Sequence, residues 1–162
     1  MIAVGLDLSL TATGYCNYNG ECRTIKLPDK GVARLAHARL WAQTLNALCD
    51  PELVAVEGYS YNDRQKAHDM GELGGVVRLT LHDLLIPYID VSPPTLKLYA
   101  TGKGNAPKDL VYGAAIRHGS PATDNTQGDA WWLWCIACHL LGHPQVEETA
   151  YRAKALKALE AK

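Results

Sequence analysis

No run in this chain approaches the roughly 20 consecutive apolar residues that a bilayer-spanning helix needs, so no membrane-embedded segment is expected. The first residues lack the basic segment and small-residue cleavage site of a secretory signal. Cysteine is scarce: five residues, an odd and scattered set, make a poor disulfide framework. Together these absences predict a cytoplasmic protein with reduced thiols. Neither charge sign prevails, with 16 Lys and Arg against 17 Asp and Glu. That balance excludes a uniformly basic nucleic-acid sleeve but permits a local basic patch. There is no phenylalanine, and no internal repeat. What is present is 162 residues, 48% of them hydrophobic, enough for one domain around one core.

Residues 1 to 27 read as three short strands, "IAVGLD", "TGYCNY" and "ECRTIKL". Asn19-Gly20 signals a two-residue hairpin turn between the last two. That turn would pair Cys16 with Arg23 and point Cys16 and Cys22 to opposite faces. "VARLAHARLWAQTLNAL" carries apolar residues at helical spacing (Leu35, Ala38, Ala42, Leu45, Leu48) and stops before Pro51. "LVAVE" is an uninterrupted apolar strand, expected in the centre of a parallel sheet. "YSYNDRQKAHD" reads as a polar loop or an early helical turn. "MGELGGVVRLTLHDLL" reads as a helix whose glycines imply close backbone packing. "YIDVS" is a short strand ended by Pro93-Pro94. A short helix, a Gly-rich loop and another helix follow, then "TDNTQGDAWWLWCIACHLLG" as the last core helix and a helical tail over 143–162. The order β-β-β-α-β-α-β-α-α predicts an α/β fold with a five-stranded mixed sheet flanked by helices.

Three carboxylates stand in awkward places. Asp7 and Glu57 each end an apolar strand. Asp129 shares a helical stripe with Leu133, Ile136 and Leu140, which puts a charge on the sheet-facing side. A lone buried carboxylate is costly, and three together repel one another. A divalent cation resolves both problems, and hard oxygen donors suit Mg²⁺, with Mn²⁺ as a substitute. Taken singly, each acid is better explained by local solvation or capping; their joint placement is what favours a metal centre. Asp124 forms an Asp-x-x-Gln capping box with Gln127 and is read as a helix cap. Asn125 and Thr126, one turn before Asp129, are within reach of a metal or its water.

With these residues in view, the chain resembles the RuvC-type Holliday junction resolvases of the ribonuclease H-like fold, especially their phage-encoded members. "GLDLSLTATGY", "LVAVEGYSY", "GELGGVVRLTLHDLL", and "LKLYATGKGNAPKDLV" followed by "DNTQGDAWWLW" carry the likeness over about residues 1–142. It implies a ribonuclease H-like nuclease domain over 1–142, with 143–162 as a C-terminal helical tail. It implies a metal-dependent endonuclease, acting as a homodimer on four-way DNA junctions and leaving 5′-phosphate and 3′-hydroxyl ends. Asp7 would bridge two ions, and Glu57 and Asp129 would each hold one. Members usually carry Asp or His where Thr126 stands here. Tyr59 or Tyr61 would stack on a base. Arg64, Lys66, Lys97, Lys103 and Lys108 would neutralise phosphates, with Gly102 and Gly104 letting backbone approach one. The expected location is the cytoplasm, the host's if the protein is phage-encoded.

Other readings carry less. "CIACH" matches a haem-attachment or zinc pattern with His143, but a helix there packs both thiols into the core. "GKGNAPK" lacks P-loop spacing. His37, His68, His82 and His118 show no paired spacing and read as surface or structural residues. Trp131, Trp132 and Trp134 read as core and interface packing. A fork or flap nuclease and a non-cleaving junction-binding protein remain alternatives. An actin-like ATPase would need phosphate-cradling glycines after Asp7, where Leu8-Ser9-Leu10 stands.

Overall fold

In the computed structural model, which describes residues 2–27, 30–58 and 64–160 (without the side chains of Asn46, Arg64, Gln65 and Glu160), one five-stranded sheet separates two helical layers. Its strands are β1 (Ala3–Asp7), β2 (Ala12–Cys16), β3 (Cys22–Lys26), β4 (Leu53–Glu57) and β5 (Tyr88–Val91). They lie in the order β3-β2-β1-β4-β5. The β1–β2 and β2–β3 pairs are antiparallel, whereas β1–β4 and β4–β5 are parallel. The helices are α1 (Gly31–Cys49), α2 (Arg64–Asp83), α3 (Pro93–Thr101), α4 (Lys108–Arg117), α5 (Asn125–Leu140) and α6 (Ala150–Glu160). This is the expected mixed α/β sandwich, and its topology is that of the ribonuclease H-like fold. No described helix is long and apolar enough to cross a membrane.

The pleat of β1 sorts its side chains between the layers. Val4 and Leu6 join Val54, Val56, Ala38, Leu45, Leu73 and Leu81 under α1 and α2. Ala3 and Ala55 point the other way, into the core formed with α3, α4 and α5. Each fully buried aliphatic side chain contributes about 1.5–3 kcal/mol. By the same period of two, Gly5, Asp7 and Glu57 belong to the α5 face.

α5 lies directly on the backbone of that face. A Cβ at Gly5 would collide with the Ala130 carbonyl and the Trp134 amide, and one at Gly14 with the Thr126 carbonyl. Thr126, Ala130 and Trp134 are successive helical neighbours, so one edge of α5 is seated along two glycines. Asp124 caps this helix, its Oδ1 accepting the Gln127 N–H at 2.8 Å. Gln127 Oε1 accepts the Thr123 N–H at 3.1 Å, completing a box displaced by one residue. Gln127 Nε2 also donates to Thr24 Oγ1 at 3.0 Å, tying the helix start to β3.

The β2–β3 hairpin differs from expectation. Cys16 pairs with Cys22 and Tyr15 with Arg23. Asn17 and Glu21 close the ladder, leaving three loop residues that end at Gly20 with φ +79°. Asn17 Oδ1 accepts the N–H groups of Asn19 and Glu21, and this local turn sets the longer loop. Both cysteines are therefore neighbours on one face, and both are free thiols. Burial pushes the Cys16 thiol up, so it stays protonated.

The tail is anchored by a buried cation. Arg152, on α6, is fully buried. Its Nε donates to the Tyr99 carbonyl at 3.3 Å and its Nη1 to the Glu147 carbonyl at 2.6 Å. The guanidinium lies 5.4–5.6 Å from the Tyr99, Trp132 and Tyr151 ring centres. Such contacts are worth ~0.5–2 kcal/mol each.

Candidate active site

Parallel pairing of β1 with β4 runs to Leu6–Val56. Asp7 and Glu57 are the next residues along, at the C-terminal ends of adjacent strands and on the same face. Asp7 is opposite Gly14 on its other side. The missing side chain of Gly14 admits the first turn of α5, and the seating of Ala130 on Gly5 brings Asp129 beside the two strand-end acids.

The electrostatics record this convergence. Burial pushes the Asp7 carboxyl well above the usual carboxylate range, helped by a hydrogen-bonding contact with Glu57 and by the charges of Glu57 and Asp129. Burial, then the Glu57 charge, pushes Asp129 up to about 7. Lys108 opposes both shifts, and Lys97 opposes that of Asp129. Asp7 and Glu57 thus meet closely, while Asp129 acts on them at longer range. Among the described residues, no three Asp, Glu, His or Cys side chains are gathered tightly enough to hold an ion as they stand. The donor chemistry nonetheless fits a hard divalent cation. Carboxylate oxygens are the right donors, and their shared burial is the cost that a cation would offset.

Asp7 and Glu57 open into a groove of about 620 Å³. Lys108 and Thr126 line it from the α4–α5 side, and Arg34 and Asp69 from the α1–α2 side. Lys66 lines it as well. A second cavity of about 590 Å³, between α5 and α6, contains His139 and Glu148 but none of the three acids.

The other sequence-predicted residues fall unevenly. Lys97 and Lys108 stand within electrostatic range of the acids, on α3 and at the start of α4. Lys103 is exposed on the loop between those helices, and the cations that oppose the upward shifts are Lys108, at Asp7 and Asp129, and Lys97, at Asp129. The glycines of that loop serve the chain's own packing. Gly102 is the left-handed cap of α3 and faces the Tyr151 ring, and Gly104 faces the Pro94 carbonyl. Tyr59 and Tyr61 lie outside the described residues, and Arg64 opens α2 with its side chain outside the description. Asp124 is committed to its cap, which leaves Thr126 as the groove-lining residue one turn before Asp129. Cys135 and Cys138 are buried in the core.

Arg78 was not legible as a positioning residue. Its guanidinium pairs with Asp90 of β5 and donates to the Glu57 carbonyl at 3.2 Å. It therefore fixes the strand end that presents the Glu57 side chain. Arg34, Asp69 and Lys30 were also missed.

No family model matches the chain. Among curated proteins, the crossover junction endodeoxyribonuclease RuvC of Gloeobacter violaceus is 33% identical over 130 residues, spanning 72% of this chain and 74% of that protein. The chain belongs to the RuvC family. RuvC of Synechococcus sp. (strain WH7803) is 27% identical over 140 residues, covering 80% of this chain and 91% of its own. The fold agrees. Thermus thermophilus RuvC, solved in complex with a Holliday junction substrate, superimposes with a TM-score of 0.69 at 21% identity, over 88% of this chain and 96% of that one. The yeast mitochondrial Holliday junction resolvase Ydc2 gives 0.54 at 13% identity, over 97% and 84%.

Proposed function

We propose that this RuvC-family chain is a divalent-metal-dependent endonuclease that nicks four-way DNA junctions, with Asp7, Glu57 and Asp129 as its catalytic acids. The observation that carries this reading is the electrostatic coupling of three acids from β1, β4 and α5, two of which, Asp7 and Glu57, line one groove together with Lys108. The RuvC family is divalent-metal dependent. Mg²⁺ is the expected ion, with Mn²⁺ as a substitute, because every donor is a hard oxygen.

Asp7, Glu57 and Asp129 would hold the metal. When bound there, divalent ions supply an activated water and offset charge on the attacking and leaving oxygens of the phosphodiester. The chain does the positioning. Lys108 and Lys97 neutralise backbone phosphates and orient the strand across the acids. Arg78 keeps the end of β4 in place. Hydrolysis leaves a 5′-phosphate and a 3′-hydroxyl. Equal amounts of a four-way junction, a fork and a linear duplex, each with Mg²⁺, test the substrate reading. Fastest nicking of the four-way junction is expected, and preference for the duplex contradicts it.

Lys108→Ala is expected to weaken junction binding more than Lys157→Ala, because Lys108 faces the acids whereas Lys157 lies on α6. The slope of log affinity against log salt should fall by about one ion. A slope equal to that of the unmodified protein counts against the assignment.

Two cuts on a two-fold junction require two sites, which a two-fold dimer supplies. The outer face of α1 and α2 is the proposed interface. Val32, Leu40 and Leu79 are 80%, 63% and 60% exposed there. Gly75 has open space where a Cβ would stand. From sequence, the glycine-bearing helix 70–85 is the expected dimer contact, through Gly74 and Gly75, but Gly74 is buried within the protomer. Leu79→Glu is therefore expected to convert the dimer to a monomer by light scattering and to uncouple the paired cuts. An unmodified protein that is monomeric, yet still makes paired cuts, would defeat the interface.

A further inference from the structure

We propose that Arg34 is a DNA-phosphate ligand of the nuclease groove, held by Asp69 in the free protein and transferred to the phosphate when DNA enters. This rests on the nuclease reading above and adds a second cationic bank to it, opposite Lys108.

Arg34 is only 6% exposed. It lies on the inward stripe of α1, one turn before Ala38, which is buried under the sheet. A guanidinium there has five N–H donors to satisfy. Among the described residues it has a single partner, Asp69 Oδ2, at a long 3.4 Å. None of its nitrogens is both sealed from solvent and unpaired. The unused donors therefore keep access to the groove that Arg34 lines together with Asp7 and Glu57. Lys30, one turn earlier and exposed, lines the same groove.

The chemistry that completes this site is an oxyanion with two acceptors. A phosphodiester offers them, and a guanidinium recognises the pair bidentately. A strand laid over the acids would then run between Lys108 on α4 and Arg34 with Lys30 on α1. Asp69 is the competing anion. Its side chain is 55% exposed, and a solvated ion pair of this kind is weak. A phosphate arriving among several cations displaces it, and Asp69 returns to water. Asp69 thus opposes loose association of DNA by occupying a donor until a strand is correctly seated.

The test is equilibrium binding of a four-way junction and a linear duplex in metal-free buffer across a salt series, with a melting curve for each variant. Arg34→Met keeps length and removes charge. It is expected to lower affinity about three- to tenfold and to reduce the salt slope by about one ion. Arg34→Lys should restore the slope but only part of the affinity. Asp69→Asn should tighten binding in the unmodified background and have little effect with Arg34→Met. An unchanged slope for folded Arg34→Met, or an equal Asp69→Asn effect in both backgrounds, overturns the proposal and makes the pair purely structural. If Arg34→Met does not fold, Asp69→Asn decides: unaltered or weaker binding overturns the proposal. An unmodified protein that binds no DNA overturns the nuclease reading as well. One that binds both DNAs equally overturns only junction selectivity, and the Arg34 effect is then read on the duplex.

Discussion

Asp7→Asn is expected to reduce junction nicking by about three orders of magnitude or more, equivalent to ~4 kcal/mol of transition-state stabilisation. The amide keeps the shape of the side chain but removes its charge and its strength as a metal ligand. Asp7 is the most enclosed of the three acids and touches Glu57. Its loss therefore removes the donor around which the others are arranged. Binding of the junction should survive and tighten in metal-free buffer, because one fewer carboxylate opposes the phosphates. The melting temperature should not fall. Burial and two neighbouring charges already disfavour ionised Asp7, and an amide relieves that cost. Cleavage rate, affinity and melting temperature on one preparation separate these effects. A folded variant that cuts at near the unmodified rate would remove Asp7 from the active site.

Gly5→Val is the second large effect, and it acts on the fold. The new side chain would project into the Ala130 carbonyl and Trp134 amide of α5. Neither is the free end of a flexible side chain, so the helix itself must move. Moving it loosens Trp132, Leu133 and Ile136, all fully buried, and carries Asp129 away from Asp7. Overpacking against backbone is expected to cost about 3 kcal/mol or more, a large part of a domain stability of ~5–15 kcal/mol. Denaturant unfolding should show the loss, with cleavage lost in parallel. Gly71→Ala is the control. It is helical with open space at its Cβ, so alanine should stabilise by up to about 1 kcal/mol. A Gly5→Val protein as stable as the parent would mean that α5 is not seated on β1 as described.

The positions of the three acids were legible because each violates a local pattern. Asp7 and Glu57 end apolar strands, and Asp129 interrupts an apolar helical stripe. The same argument applied to Arg34, which lies one turn before Ala38 on the inward stripe of α1, but the surrounding "ARLAHARLW" hides one charge among several. The start of α2 stays open in the sequence, between a polar loop and an early helical turn, since Lys66, Ala67, His68 and Asp69 are exposed and show no apolar stripe. The hairpin departs from the two-residue turn that Asn19-Gly20 signals because the Asn17 side chain, a weaker sequence signal, sets a longer loop. Arg152 left no local trace. Besides the nearby Glu147 carbonyl, its hydrogen-bond partners Tyr99 and His118 are 53 and 34 residues away, and only the tertiary fold brings them together.

The central claim is that Asp7, Glu57 and Asp129 act through a divalent cation on branched DNA. The most direct test is the rate of four-way junction cleavage by the unmodified protein, first in EDTA and then after adding excess Mg²⁺. Cleavage absent in EDTA and restored by Mg²⁺ or Mn²⁺ is the predicted result, whereas an equal rate in EDTA would contradict the account.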